Sequence, residues 1–180
     1  MGIANWLLET PPRLCQLRLY KSTEGMMACW ATVAEMIVQW KNNHSYFARP
    51  TFEDVIPRGN DGIDAKINYL KFIEDWLSRW GFETQNEGWY GTWSPETLAT
   101  LVKDKGPLLC IGDFGAGQNP LAIGGAAHAI CVYGYTQQFG GVHYIDPWDA
   151  DTKQMSLSQF RDKLWQSKYS VYSRRPNHRR

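Results

Sequence analysis

The sequence predicts an α+β fold. Three features point there. Helical periodicity dominates the first 106 residues, strand-like apolar runs dominate the rest, and no internal repeat or low-complexity linker separates the two. Runs of helices followed by runs of strands belong to segregated α+β architectures rather than to alternating βαβ ones. The 180 residues suffice for a self-supporting core and are expected to form one domain, residues 1–180, with a helical lobe at about 22–106, a sheet lobe at about 107–173 and a basic tail at 174–180.

Taken in order, residues 14–21, LCQLRLYK, alternate as a short strand or extended lead-in. MMACWATVAEMIVQWKNN follows as a helix, with Cys29, Val33, Met36, Ile37 and Trp40 on one apolar face and Asn42 and Asn43 stopping it. Residues 44–62, with Pro50 and Pro57, form a loop. A second helix spans 64–80, with Ile67, Leu70, Ile73, Trp76, Leu77 and Trp80 on one face and Gly81 ending it. FETQNEGWYG is loop or strand. A third helix opens with Ser94 as N-cap and Pro95 in the first position, and stops at Gly106-Pro107. Strands are then expected at 108–114, 128–135, 142–146 and 169–173. Between the last two, Ser156 and Gln159 form a capping box ahead of Phe160, Leu164 and Trp165.

Composition removes several function classes. With 43% hydrophobic and 21% charged residues the chain is neither disordered nor supercharged. A net charge of +1 gives no global field for nucleic acid or a membrane surface. Four of the arginines sit in the last seven residues, RRPNHRR, expected as a solvated, frayed tail. Nine Trp and nine Tyr suggest a dense core or an aromatic-lined cleft. No window approaches a membrane span. The segment MGIANWLLETPPRLCQ has no basic n-region, and Trp6 stands where a myristoylation motif wants Ser or Thr, so either synthesis in the cytoplasm without a signal peptide or a module cut from a longer protein is expected. The four cysteines, Cys15, Cys29, Cys110 and Cys131, make no CxxC pair and no Cys/His cluster, so neither a zinc site nor a disulfide framework is expected. The question becomes whether one thiol is a nucleophile.

Cys29 stands where a polar, glycine-containing stretch turns into a helix. The helix dipole and unpaired N–H groups favour a thiolate there, and those N–H groups can receive an oxyanion. The bland alternative is a small core residue. His128 opens a strand after GAGQNPLAIGGAA, and Asp146 ends the next strand in YIDPWD. If Gly134 pairs with Val142, His128 opposes Trp148 and Ile130 opposes Asp146. Asp146 is then diagonal to His128 on the same face, and a one-residue slip would separate them. The alternative is a capping His and a turn-forming Asp-Pro. The order Cys, His, Asp suits thiol acyl transfer: a nucleophile, a base and an orienting carboxylate. Cys110 and Cys131 read as core thiols, Cys15 as isolated, and His143 as a surface strand residue without an orienting partner.

GMMACWATVAEMIVQW resembles the nucleophile helix of papain-like cysteine proteases, in the bacterial effector and toxin branch with a CWAA-type start. GGAAHAICVYGY and VHYIDPWD resemble that branch's base strand and carboxylate strand, and GPLLCIGDF its preceding strand. The resemblance runs from about Lys21 to Trp148, includes plant-pathogen effector proteases, and extends more distantly to bacteriocin-leader peptidases. It implies a two-lobed papain-like fold, a helical lobe carrying the nucleophile and an antiparallel sheet lobe. It implies Cys29 as nucleophile, His128 as base and Asp146 as orienting residue, with Trp30 and Trp148 as candidate cleft walls. It implies no metal and no organic cofactor. One departure stands out. The family places a Gln six residues before the Cys as an oxyanion donor, and here that position is Thr23. Thr23, Ser22, a backbone N–H or a folded-back Gln16 are the possible substitutes.

The resulting expectation is a cysteine peptidase that cleaves a specific target protein. Resemblance suggests a bacterial effector or interbacterial toxin domain delivered by a secretion system and neutralised by an immunity protein covering the cleft. The same triad would serve a transglutaminase, a deamidase or a peptidoglycan amidase, and a dead papain-like binding module is the different-class alternative.

Overall fold

A computed structural model describes residues 5–19, 28–42, 63–85, 90–115, 128–138 and 141–175. The loop expected at 44–62, Thr23, and the tail beyond residue 175 lie outside these. Five α-helices are described: α1 (Gln16–Leu19), α2 (Cys29–Asn42), α3 (Ile63–Arg79), α4 (Pro95–Lys105) and α5 (Leu157–Lys163). A short 3-10 turn covers Tyr90–Thr92. The strands are β1 (Asn5–Leu7), β2 (Phe82–Thr84), β3 (Leu108–Gly112), β4 (His128–Thr136), β5 (Gly141–Asp146), β6 (Asp151–Met155) and β7 (Val171–Arg174).

The seven strands make one antiparallel sheet in the order β2-β7-β3-β4-β5-β6. β1 pairs with the second half of β4, beyond the end of β3. Alternation along β3 and β4 divides the core in two. Leu109, Ile111, Ala129 and Cys131 meet Val33, Met36 and Ile37 of α2 and Leu70, Ile73 and Leu77 of α3. Leu108, Cys110, Ile130 and Val132 meet Leu98, Leu101 and Val102 of α4 and Phe160 of α5. Each buried aliphatic side chain contributes about 2 kcal/mol of transfer free energy. With both faces covered, β3 and β4 read as near-continuous apolar runs, as centrally buried strands do. The third helix expected from the sequence therefore lies on the face opposite α2 and α3.

Local signals explain the helix ends. Ser94 Oγ accepts from Thr97 N at 3.2 Å. Ser156 and Gln159 exchange reciprocal bonds, each 3.1 Å, so the capping box forms as read. Gly81 adopts φ +77° just past α3, a left-handed conformation that glycine reaches without a Cβ penalty.

Several expectations need correction. The alternating segment 14–21 is not a strand: Gln16–Leu19 form a helical turn in which Cys15 O accepts from both Arg18 N and Leu19 N at 3.1 Å. Gln16 and Leu19 turn inward, an i, i+3 spacing rather than i, i+2. The helix around Cys29 is buried all round, not on one face: even Thr32 and Glu35 are buried, and Gln39 Nε2 donates to Glu35 at 2.9 Å. The basic tail begins later than expected. Arg174 closes β7, buried, with Nη1 donating to Val38 O at 3.4 Å, and Arg175 pairs with Glu83 at 3.0 Å.

The β4–β5 register decides the geometry of the site. Gly134 does not pair with Val142; it pairs with His143, and Tyr135 pairs with Val142. A bulge between Val132 and Gly134 then shifts the alignment by one, so Val132 faces Tyr144 and Cys131 faces Ile145. At the site end this equals the alignment that a Gly134–Val142 pair would have imposed. Continued by one residue, it sets Ile130 across from Asp146, with Asp146 diagonal to His128.

Candidate active site

Cys29 is the first residue of α2, and the carbonyl of Ala28 accepts the first intrahelical bond, from Thr32 N, at 2.9 Å. Its own N–H belongs to the unpaired first turn of a helix, where partial positive charge gathers. The packing of α2 on β3 and β4 carries this turn to the start of β4. There His128 opens the strand, buried, opposite Gly112 of β3.

His128 holds two partners. Nε2 lies 2.7 Å from Asp146 Oδ1, and Cys29 is close enough to raise the pKa of the ring. With Nε2 committed to the carboxylate, Nδ1 is the ring nitrogen left for the thiol. Burial acts to lower the pKa of His128. The hydrogen bonds to Asp146 and Cys29 and the charges of both outweigh it and raise the pKa from the ordinary 6.5 to about 10.

Asp146 is 4% exposed, and burial acts to raise its pKa. Its bonds to His128, to Lys153 Nζ (2.8 Å, on Oδ2) and to Trp148 N (3.0 Å, on Oδ1), together with the imidazolium charge, hold the carboxyl well below the ordinary carboxylate range. Lys153 also reaches Asp149 at 2.6 Å. The ammonium is held well above the ordinary lysine range by these two carboxylates, against a burial effect that acts the other way.

The structure thus brings Cys29, His128 and Asp146 together, with His128 bonded to the carboxylate and Cys29 close enough to act on its titration. Trp148 contributes main chain: its N–H serves Asp146, and its carbonyl accepts from Cys15 Sγ at 3.2 Å. Trp30 is not a cleft wall. It is 1% exposed and packs edge-on against Phe72 and Trp76, because a helix buried on all sides has no solvent face at that position. The oxyanion candidate Thr23 lies outside the described residues. Gln16 is fully buried on α1, which contacts α2, and its N–H donates to Pro147 O at 2.7 Å, next to Asp146.

The other sequence candidates separate cleanly. Cys110 and Cys131 are fully buried, and burial pushes both thiols far above the ordinary range. His143 is not a surface residue. It is 6% exposed, hydrogen-bonded to Thr136 Oγ1 at 2.6 Å and edge-on to Tyr133, and burial lowers its pKa. Two site residues were not read from the sequence. Lys153 lies on an edge strand, DTKQM, with no apolar alternation to announce it. Gly115, just beyond β3, packs so closely on His128 that a Cβ there would stand 2.9 Å from His128 Cβ.

The family described as papain-like cysteine protease AvrRpt2 matches residues 12–165. No curated protein matches the chain. The chain belongs to this family: it is a thiol protease, a papain-like hydrolase with a protein substrate. Among the described residues no helix is long and apolar enough to cross a membrane.

Proposed function

We propose that this papain-like protease cleaves a specific target protein through Cys29, His128 and Asp146. The observation that carries the reading is the chain from Cys29 through His128 to Asp146, with Nε2 of His128 2.7 Å from the carboxylate. His128 takes the Cys29 proton, giving a thiolate beside an imidazolium. The sulfur attacks the scissile carbonyl and forms a tetrahedral oxyanion. His128 then gives its proton to the departing amine, leaving an acyl-thioester on Cys29. Water, deprotonated by the now neutral imidazole, attacks the thioester. Cys29 leaves as thiolate, and the proton stays on His128. Asp146 keeps the ring oriented and stabilises its charge throughout.

The oxyanion is received by the N–H of Cys29 at the start of α2 and by one side-chain donor, Thr23, Ser22 or Gln16. Removing each donor in turn separates them. The true one lowers kcat with KM little changed, because the oxyanion exists only along the reaction path.

We extend the proposal to biology: a bacterial effector or interbacterial toxin domain, delivered into a target cell by a secretion system, with a cognate immunity protein covering the cleft. Family membership supports it, as does a site assembled from this chain's own residues, which would endanger its maker. Incubating wild type and Cys29→Ala with a target-cell lysate and mapping new protein N-termini tests the reaction class. New N-termini that depend on Cys29 support proteolysis. Conversion of Gln to Glu without cleavage identifies a deamidase instead.

A further inference from the structure

We propose that Lys153 is a positioning residue, an ammonium anchored on Asp149 that holds the Asp146 carboxylate in the orientation presenting Oδ1 to His128. The inference rests on the reading of Cys29, His128 and Asp146 as the catalytic chain.

An aspartate carboxylate turns readily about its last torsion, which has broad wells. Asp146 is pinned at both oxygens: Oδ1 accepts from Trp148 N and bonds His128, and Oδ2 accepts from Lys153 Nζ at 2.8 Å. The pin is itself held. Lys153 Nζ lies 2.6 Å from Asp149 Oδ2, and Asp149 Oδ1 accepts from Asp151 N at 3.0 Å. The register explains the reach: Asp146 pairs with Asp151 and Tyr144 with Lys153, so Lys153 is diagonal to Asp146 on the same face of the hairpin. The groups facing Asp146 are His128, Lys153 and the Trp148 N–H, with Tyr144 and Asp149 alongside.

Charge alone would act in the opposite sense. An ammonium beside Asp146 weakens its pull on the imidazolium, so removing it from an immobile carboxylate would strengthen the ion pair with Cys29. Loss of positioning weakens that pair. The sign of the effect separates the two.

The experiment measures iodoacetamide alkylation of Cys29 at pH 6 by peptide mass spectrometry, alongside melting temperature, in wild type, Lys153→Met, Lys153→Arg and Asp146→Asn. The expected result is slower alkylation in Asp146→Asn, a loss of about tenfold in Lys153→Met, as a misplaced catalytic group produces, and recovery of most of the rate in Lys153→Arg. A purely structural lysine would lower the melting temperature of Lys153→Met and leave the folded protein's alkylation rate unchanged. Lys153→Met alkylated as fast as wild type, or faster, while Asp146→Asn is slow, overturns the role of Lys153 alone. Asp146→Asn alkylated as fast as wild type overturns the catalytic reading beneath it. Lys153 is 29% exposed on an edge strand. Should Lys153→Met fail to fold, Lys153→Gln carries the same comparison.

Discussion

His128 Nε2 lies 2.7 Å from Asp146 Oδ1, across two strands whose pairing passes through a bulge before it reaches them. The bond joins a group that burial would neutralise to one that burial would protonate, and each keeps the other charged. Asp146→Asn preserves the shape and removes the charge. The pKa of His128 should then fall back toward 6.5. Proteolysis should drop roughly a hundredfold, with its upper pH limit moving down as the imidazolium is lost earlier.

The same pair makes stability depend on pH in two directions. The folded pKa of His128 is raised, so its contribution is complete below 6.5 and is lost as pH rises through about 10. The folded pKa of Asp146 is lowered, so its contribution is present above 3.8 and is lost on acidification below that value. Melting temperatures of wild type and His128→Asn should therefore differ most near pH 6 and converge toward pH 10. A gap that stays constant over that range contradicts the assignment.

Gly115 tests whether the base must be held this tightly. Gly115→Ala places a methyl 2.9 Å from His128 Cβ, closer than real Cβ contacts allow, so either the histidine or the loop must shift. Turnover should fall by about one to two orders of magnitude, with melting temperature affected less than in a core truncation. Unchanged kcat would show that the loop gives way instead.

How much of this was legible beforehand differs by residue. Cys29, His128 and Asp146 could be named because each sits at an element boundary with local signals: a polar-to-helix transition, a glycine-rich lead-in, an Asp-Pro strand end. The fold class was legible for the same reason, since α3, α4 and α5 carry periodicity and caps. Long-range closure was not. The bulge at Val132/Gly134 leaves no mark in an evenly apolar strand, yet it turns a pairing wrong by one residue at Gly134 into the expected alignment at Cys131. It also accompanies a buried His143 that alternation alone placed at the surface. Lys153 was missed because an edge strand of exposed polar residues carries no period, and Gly115 because a close approach between two segments is invisible in either.

The remaining thiols predict a contrast. Cys110→Ala and Cys131→Ala remove sulfur from fully buried positions in the two cores, and each should cost about 1–2 kcal/mol of stability. Neither thiol should react with iodoacetamide in the folded protein, given how far burial raises both. Chemical denaturation of the two variants, with alkylation mapped in wild type, checks both statements.

The central claim is that Cys29, activated by His128, is the nucleophile. An acyl-peptide electrophile directed at thiols, followed by mass mapping of the labelled peptide, tests it most directly. The account predicts one label, on Cys29, formed near neutral pH, absent from Cys29→Ala and strongly reduced in a folded His128→Ala. Labelling spread over Cys15 and Cys29 alike, or unchanged in His128→Ala, would contradict it.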